Sequence, residues 1–319
     1  MRIASCFRFT AQRCTMARVS IGATARPHAI SHWLEELAFA LKVSRPGMWL
    51  TAVWFYLLPL GGRDVLHRPE FWLGVLYITF PLGYFLCGWN DLTDAQVDSG
   101  NRRKDSYLFG ARGSPSQLAA LPISIALVQA PFVVIFTALL GPRMLWWLAA
   151  WAVACALYNS PGFEWKARAP SDLLIQPTFL LMFLFSSWLN HAPQLPWPAF
   201  VFGALFAIHG HLLQEIMDIE PDRLVGRRTT AILLGHVRSK LLLAILMASE
   251  AAVLVACFDE RVMGVFFAVA ALIAVADAAF WRDRPYGPNA LRHFMLAWNL
   301  LVIMSMPWVW STARLTRLA

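Results

Sequence analysis

Apolar residues fall into long blocks separated by short polar segments, at about 46–60, 71–89, 118–140, 144–158, 172–189, 198–214, 241–257, 262–281 and 293–311. A helix needs roughly 17–25 apolar residues to cross the hydrocarbon core of a bilayer. The pattern therefore predicts an all-α, multi-pass integral membrane protein with nine transmembrane helices, the first and fourth of them short. Ahead of the first block, Trp33, Leu34, Leu37, Leu41 and Lys42 predict an amphipathic surface helix over 29–45 that lies in the bilayer interface. A short tail, 312–319, follows the last block.

Composition agrees with this reading. Of the 319 residues, 58% are hydrophobic and 14% charged, where a soluble domain carries about 25% charged residues. The net charge of +8 does not point to nucleic acid, because topology distributes the cations. With the N-terminus inside, fourteen Lys and Arg fall in inside loops against four, Arg63, Arg68, Arg143 and Arg261, outside. Arg314 and Arg317 run against the bias. Residues 1–28 hold five Arg and no acid. They fit an organellar transit peptide, a positive cytoplasmic tail, or an over-extended reading frame that starts at Met16. The five cysteines form no CxxC pair and read as free thiols.

Two acidic clusters carry the chemistry. Asn90-Asp91 opens the first, with Asp94 and Asp98; Glu215, Asp218 and Asp222 form the second. In each, carboxylates stand at i, i+3 and i+7, a spacing expected to put all three on one helix face. Both clusters close apolar blocks and fall on the cytosolic (or matrix or stromal) side. Six carboxylates on facing helices require neutralising cations, and oxygen-only donors select a hard ion such as Mg²⁺, which keeps substrate phosphates in its shell. Arg102, Arg103 and Lys104 follow the first cluster and suit phosphate oxygens. Gly226-Arg227-Arg228-Thr229-Thr230 follows the second as a turn and helix start, a site that favours anions. Tyr158-Asn159-Ser160-Pro161 and Lys166 lie between them on the same side. His209 and His211 precede the second cluster; a buried His is more often a hydrogen-bonded core residue than a substrate contact. Trp89 and Tyr84 are aromatic candidates to flank a carbocation.

These residues resemble the UbiA superfamily of intramembrane prenyltransferases. Asn90, Asp91, Asp94 and Asp98 match its NDxxDxxxD motif, and Glu215, Asp218 and Asp222 its DxxDxxxD motif, with Glu in the first place. Arg45-Pro46, the Tyr158–Pro161–Lys166 loop and Gly226, Arg228 and Thr229 match further family features. The resemblance implies a helical bundle over 46–311 around a central cavity with a cytosolic-side polar cap. It implies two Mg²⁺ ions held by Asn90, Asp91, Asp94, Asp98, Glu215, Asp218 and Asp222, which bridge to an isoprenyl diphosphate. Diphosphate contacts fall to Asn90, Arg45, Arg103, Lys104, Tyr158, Lys166 and Arg228, and catalytic roles to Asp91, Asp94, Asp218 and Lys166. The longer arm of Glu215 puts its metal geometry in question. The 101–111 stretch and Lys166–Pro170 resemble the lycopene elongase and quinone prenyltransferase branch.

The implied reaction ionises an allylic diphosphate and passes the prenyl group to a lipophilic acceptor, an aromatic quinone precursor or a carotenoid-like alkene. The product would be made in a bacterial inner membrane or an organellar inner membrane. Competing readings are a terpene cyclase without acceptor, transfer of a prenyl-phosphate-linked sugar, a transporter and a non-catalytic scaffold. Transporter acids usually lie at the midplane, whereas these gather on one side.

Overall fold

A computed structural model describes residues 25–98, 103–287 and 289–319, without the side chains of 25–31, 97 and 98. The Asp98 side chain, Arg102 and most of the basic N-terminal extension therefore lie outside the described residues. The described residues before Ala38 form a unit separate from Ala38–Ala319.

The described elements are helical, with no strand among them. Helix α1 (Ala25–Val43) covers the expected surface helix, with Trp33, Leu34 and Leu37 exposed. It is followed by α2 (Pro46–Leu57), α3 (Pro69–Thr93), α4 (Ala95–Asp98), α5 (Pro115–Leu140), α6 (Arg143–Asn159), α7 (Ser171–Leu174), α8 (Leu181–Leu189), α9 (Trp197–Leu224), α10 (Thr230–Phe258), α11 (Arg261–Phe280) and α12 (Ala290–Thr312). Among the described residues, seven helices are long and apolar enough to cross a membrane. The first predicted block forms a shorter apolar helix, Pro46–Leu60, and the fourth the 17-residue α6. The fifth, 172–189, is helix-like throughout but broken by a 3₁₀ stretch at Gln176–Leu180.

Local sequence explains the helix ends. Pro46, Pro69, Pro115 and Pro198 sit in first turns, where a missing N–H costs nothing. Ser114 and Gln117 exchange hydrogen bonds in a capping box at α5, and Thr229 accepts from Ile232 at α10. α10 contains a break at Gly235, φ 74°, a conformation glycine adopts without strain.

Packing follows from helix faces. α3 buries Phe71, Gly74, Ile78 and Leu82 at helical spacing. The core is strongly aromatic: Trp54 stacks on Phe206 at 5.0 Å, and Tyr77, Phe136, Trp147 and Phe185 form a second group. Large apolar side chains stay exposed along α5, α10, α11 and α12, including Leu127, Ile245, Leu272 and Met304. Such continuous exposed apolar faces suit lipid.

Three connections position the polar end. The 103–114 loop turns back on itself through paired Ser106–Gly110 backbone bonds, and Tyr107 O accepts from Gly47 N at the start of α2. The segment after α6 joins the turn after α9: Arg228 N donates to Ala167 O and Ala169 N to Arg228 O, both at 2.9 Å. This link brings Lys166 and Arg227 to the ends of α3 and α9.

A charged cavity between two acidic motifs

A cavity of about 440 Å³ opens among α2, α3, α6, α9 and α12. Its deep wall is apolar and aromatic, with Phe55, Leu82, Trp151, Met182, Phe206 and Trp298. Its other end is lined by Asn90, Asp94, Glu215, Asp218 and Asp222, together with Arg45, Arg103, Lys104, Tyr158, Lys166 and Arg227. Both acidic motifs thus face one chamber, with cations interleaved.

The carboxylates are paired with those cations. Lys166 Nζ lies 2.6 Å from Asp94 Oδ1 and also donates to Thr93 Oγ1 at 2.9 Å and Asn159 Oδ1 at 3.1 Å. Arg227 donates from Nη2 to Asp94 Oδ2 and from Nη1 to Asp222 Oδ1, each at 3.0 Å. Arg103 Nη2 lies 2.7 Å from Asp218 Oδ1. Burial alone would lower the Arg227 pKa, but Asp222 and Asp94 hold it above its ordinary value. Its charge is constant at any working pH.

The second motif keeps the expected single face, with Glu215, Asp218 and Asp222 all on α9 and all lining the cavity, whereas in the first motif Asp91 stands apart. At about 100° per residue, Asn90 and Asp94 lie close together on the α3 surface, and Asp91 falls to their flank. The helix ends at Thr93, and Asp94 is its C-cap. Asp91 is 4% exposed and is not part of the cavity wall. It accepts from Arg45 and Lys104 instead.

Glu215 holds the equivalent place in the second motif. Its Oε2 accepts from Ala231 N at 3.3 Å, at the start of α10, and Oε1 lies 3.2 Å from His211 Nε2. Asp172 is fully buried and accepts from the backbone and hydroxyl of Thr230. Asp172 was missed from sequence; an isolated acid opening the 172–189 apolar block was its signal.

Arg228 also departs from expectation. Its backbone is tied to Ala167 and Ala169, which leaves its side chain exposed and outside the cavity lining. Arg227, one residue earlier, takes the inward position. Tyr158 lines the cavity with its ring 6.3 Å from that of His211. His211 and Gln214 line it as well, whereas His209 is buried against Glu250 at 2.6 Å. Trp89 and Tyr84 are not in the lining. Cys87, Cys155 and Cys257 are free.

The donor set fits a hard divalent cation: an amide and carboxylates from two helices, with no sulfur. One guanidinium spans Asp94 and Asp222, so a single cation position is already shared by the two motifs. No three Asp, Glu, His or Cys side chains among the described residues converge on one metal-sized point.

Comparison with known proteins completes the picture. The family model of the UbiA prenyltransferase family matches residues 48–314. A lycopene elongase/hydratase of Haloferax volcanii is 29% identical over 262 residues, 77% of this chain and 84% of that protein. A 4-hydroxybenzoate octaprenyltransferase of Marinobacter nauticus is 26% identical over 242 residues, covering 73% and 79%. The solved structure of a UbiA homologue from Archaeoglobus fulgidus, bound to DMAPP and Mg²⁺, superposes with a TM-score of 0.64 at 19% identity, over 85% of this chain and 98% of that one.

Proposed function

The chain belongs to the UbiA prenyltransferase family, and from that premise we propose that it ionises an isoprenyl diphosphate in this cavity and transfers the prenyl group to a lipophilic acceptor. One observation carries the reading: both acidic motifs and five cations line the polar end of a chamber whose other wall is aromatic.

A diphosphate entering the polar end competes for the donors that now neutralise Asp94, Asp218 and Asp222. Arg103, Lys166 and Arg227 turn to its oxygens, with Arg45, Lys104 and Tyr158 around them. The released carboxylates, with Asn90, would hold Mg²⁺, and Asp98 would join them by its place in the motif. Mg²⁺ bound there supplies electrostatic stabilisation of the departing diphosphate. Lys166, fixed by Thr93 and Asn159, donates to the same developing charge.

The allylic C–O bond breaks with its electron pair leaving on diphosphate. The resulting cation lies against Phe55, Trp151, Phe206 and Trp298, which exclude water and present aromatic faces. A π pair of the acceptor forms the new C–C bond, and a proton leaves the acceptor. No nucleophilic side chain is needed.

The likeness to lycopene elongase/hydratases favours a long polyene alkene over a phenol as acceptor. The positive-inside bias puts the polar end on the cytosolic, matrix or stromal side. The test is incubation of purified protein with Mg²⁺ and dimethylallyl, geranyl or farnesyl diphosphate, with lycopene, 4-hydroxybenzoate or no acceptor, read by mass spectrometry. A prenylated polyene is expected. A cyclic hydrocarbon formed without acceptor supports the cyclase reading instead.

A further inference from the structure

Helix α3 ends on a broad cavity face with a packed flank beside it. Leu82, Gly83, Leu86, Cys87 and Asn90 line the cavity, with Asp94 at the C-cap. The flank, Tyr84, Gly88 and Asp91, is buried. Gly88 fits closely there, because a Cβ would come within 2.9 Å of Ile125 and 3.3 Å of Val43. Asp91 stands at the edge of that flank, one turn beyond the cavity-lining Cys87, and is itself buried outside the cavity wall.

The surroundings of Asp91 are built for a different task from metal binding. A single oxygen, Oδ1, takes both Arg45 Nη2 at 2.8 Å and Lys104 Nζ at 2.7 Å. Both cations line the cavity. The second oxygen, Oδ2, is buried with no hydrogen-bond partner. Gly110 closes over it with φ +100°, and a Cβ at that position would lie 3.0 Å from Asp91 Oδ2 and from Arg45 Nε. Only glycine fits this approach. Arg45 is itself held in a left-handed conformation, φ 52°. A long side chain adopts that region where its surroundings determine it.

We propose that Asp91 is a positioning residue that holds Arg45 and Lys104 together as one diphosphate clamp, and that it is outside the metal-ligand set. Two cations sharing one oxygen repel each other, and the carboxylate between them offsets that repulsion. It also restricts two flexible side chains before substrate arrives. The trio presents a net positive charge to the cavity, as a diphosphate requires. In this account Asp94 and its cavity-facing neighbours serve the metal, and Asp91 serves the anion. The inference rests on the prenyl-diphosphate reading above.

The two roles separate by binding, without turnover. The probes are geranyl S-thiolodiphosphate, an unreactive substrate analogue, and Mn²⁺ followed by its electron paramagnetic resonance. Asp91→Asn keeps shape and removes charge. It is expected to weaken analogue binding about tenfold in chelator, and to leave Mn²⁺ affinity without analogue within about twofold. Lys104→Met should weaken the analogue similarly, and the double variant should lose little more than either single one, because the residues act as a unit. Asp94→Asn should do the opposite and weaken Mn²⁺ first. A tenfold loss of Mn²⁺ affinity in Asp91→Asn, unchanged analogue binding, or fully additive losses in the double variant each overturn the proposal. Wild-type protein that binds neither probe fails the prenyl-diphosphate reading itself, and does so before any variant is compared.

Discussion

The guanidinium of Arg227 lies 3.0 Å from Asp94, a residue 133 positions earlier in the chain. Through its other terminal nitrogen it holds Asp222 at the same distance. One side chain therefore ties the first acidic motif to the end of the second. The backbone link between Arg228 and residues 167 and 169 aims it there. That link also explains why the neighbouring Arg228 faces outward.

This arrangement separates two adjacent arginines. Arg227→Ala is expected to lower kcat/KM for an isoprenyl diphosphate by about 10²-fold or more, comparable to loss of other preorganised electrostatic donors. Arg228→Ala should stay within about threefold of wild type, since its side chain is exposed. Steady-state kinetics on both variants checks the pair. The reverse ranking would place Arg228 at the diphosphate.

Glu215 and Asp172 should act on folding more than on metal. Both accept hydrogen bonds from the first turn of α10. Asp172→Ala strands the buried Thr230 N–H and is expected to cost about 1–3 kcal/mol, read as a lowered melting temperature in detergent. Glu215→Ala should lower it in the same direction. Their effects should overlap in the double variant because both hold the same turn, at Thr230 and Ala231. The Mg²⁺ concentration for half-activation should stay within about twofold in Glu215→Ala. A normal melting curve with a sharply raised Mg²⁺ requirement would make Glu215 a ligand.

Topology is open to chemical labelling. α9 has 28 residues, about 42 Å of helix, so the 190–196 turn before it and the 225–229 turn after it lie at opposite ends. In a cysteine-free background, single cysteines at 103–112 and 225–229 should react with an impermeant thiol reagent from the cytosolic, matrix or stromal side. Cysteines at 190–196 should react only from the other side. The inverted pattern would mean that the Lys and Arg distribution does not set the orientation.

The helices were legible because lipid-facing sequences cannot hide: α5 carries no charged residue, and α10 and α11 hold long apolar runs with exposed Ile245 and Leu272. The break at Gln176–Leu180 was passed over because the block was bounded by hydropathy alone; its signal was Gln176-Pro177-Thr178, where proline removes a helical N–H. The motifs were legible as charge at a membrane boundary. Their division of labour was not. A spacing of i, i+3 and i+7 gives three residues on one broad face, but a flank of about 60° separates Asp91 from Asp94 and Glu215 from Asp218. What each flank meets, the Arg45–Lys104 pair or the first turn of α10, depends on loops whose docking the one-dimensional pattern does not encode. The choice between Arg227 and Arg228 is of the same kind: two identical neighbours, sorted by one backbone pairing.

The central claim is that the carboxylates of Asp94 and Asp218 serve an isoprenyl diphosphate through a divalent metal. The most direct measurement follows prenyl transfer by purified wild-type protein in excess EDTA and after Mg²⁺ is restored, beside Asp94→Asn and Asp218→Asn under saturating Mg²⁺. The account predicts no transfer in chelator, full recovery with Mg²⁺ or Mn²⁺, and a loss of about 10²-fold or more in each variant. Undiminished transfer in chelator, or near-wild-type rates in both folded variants, would contradict it.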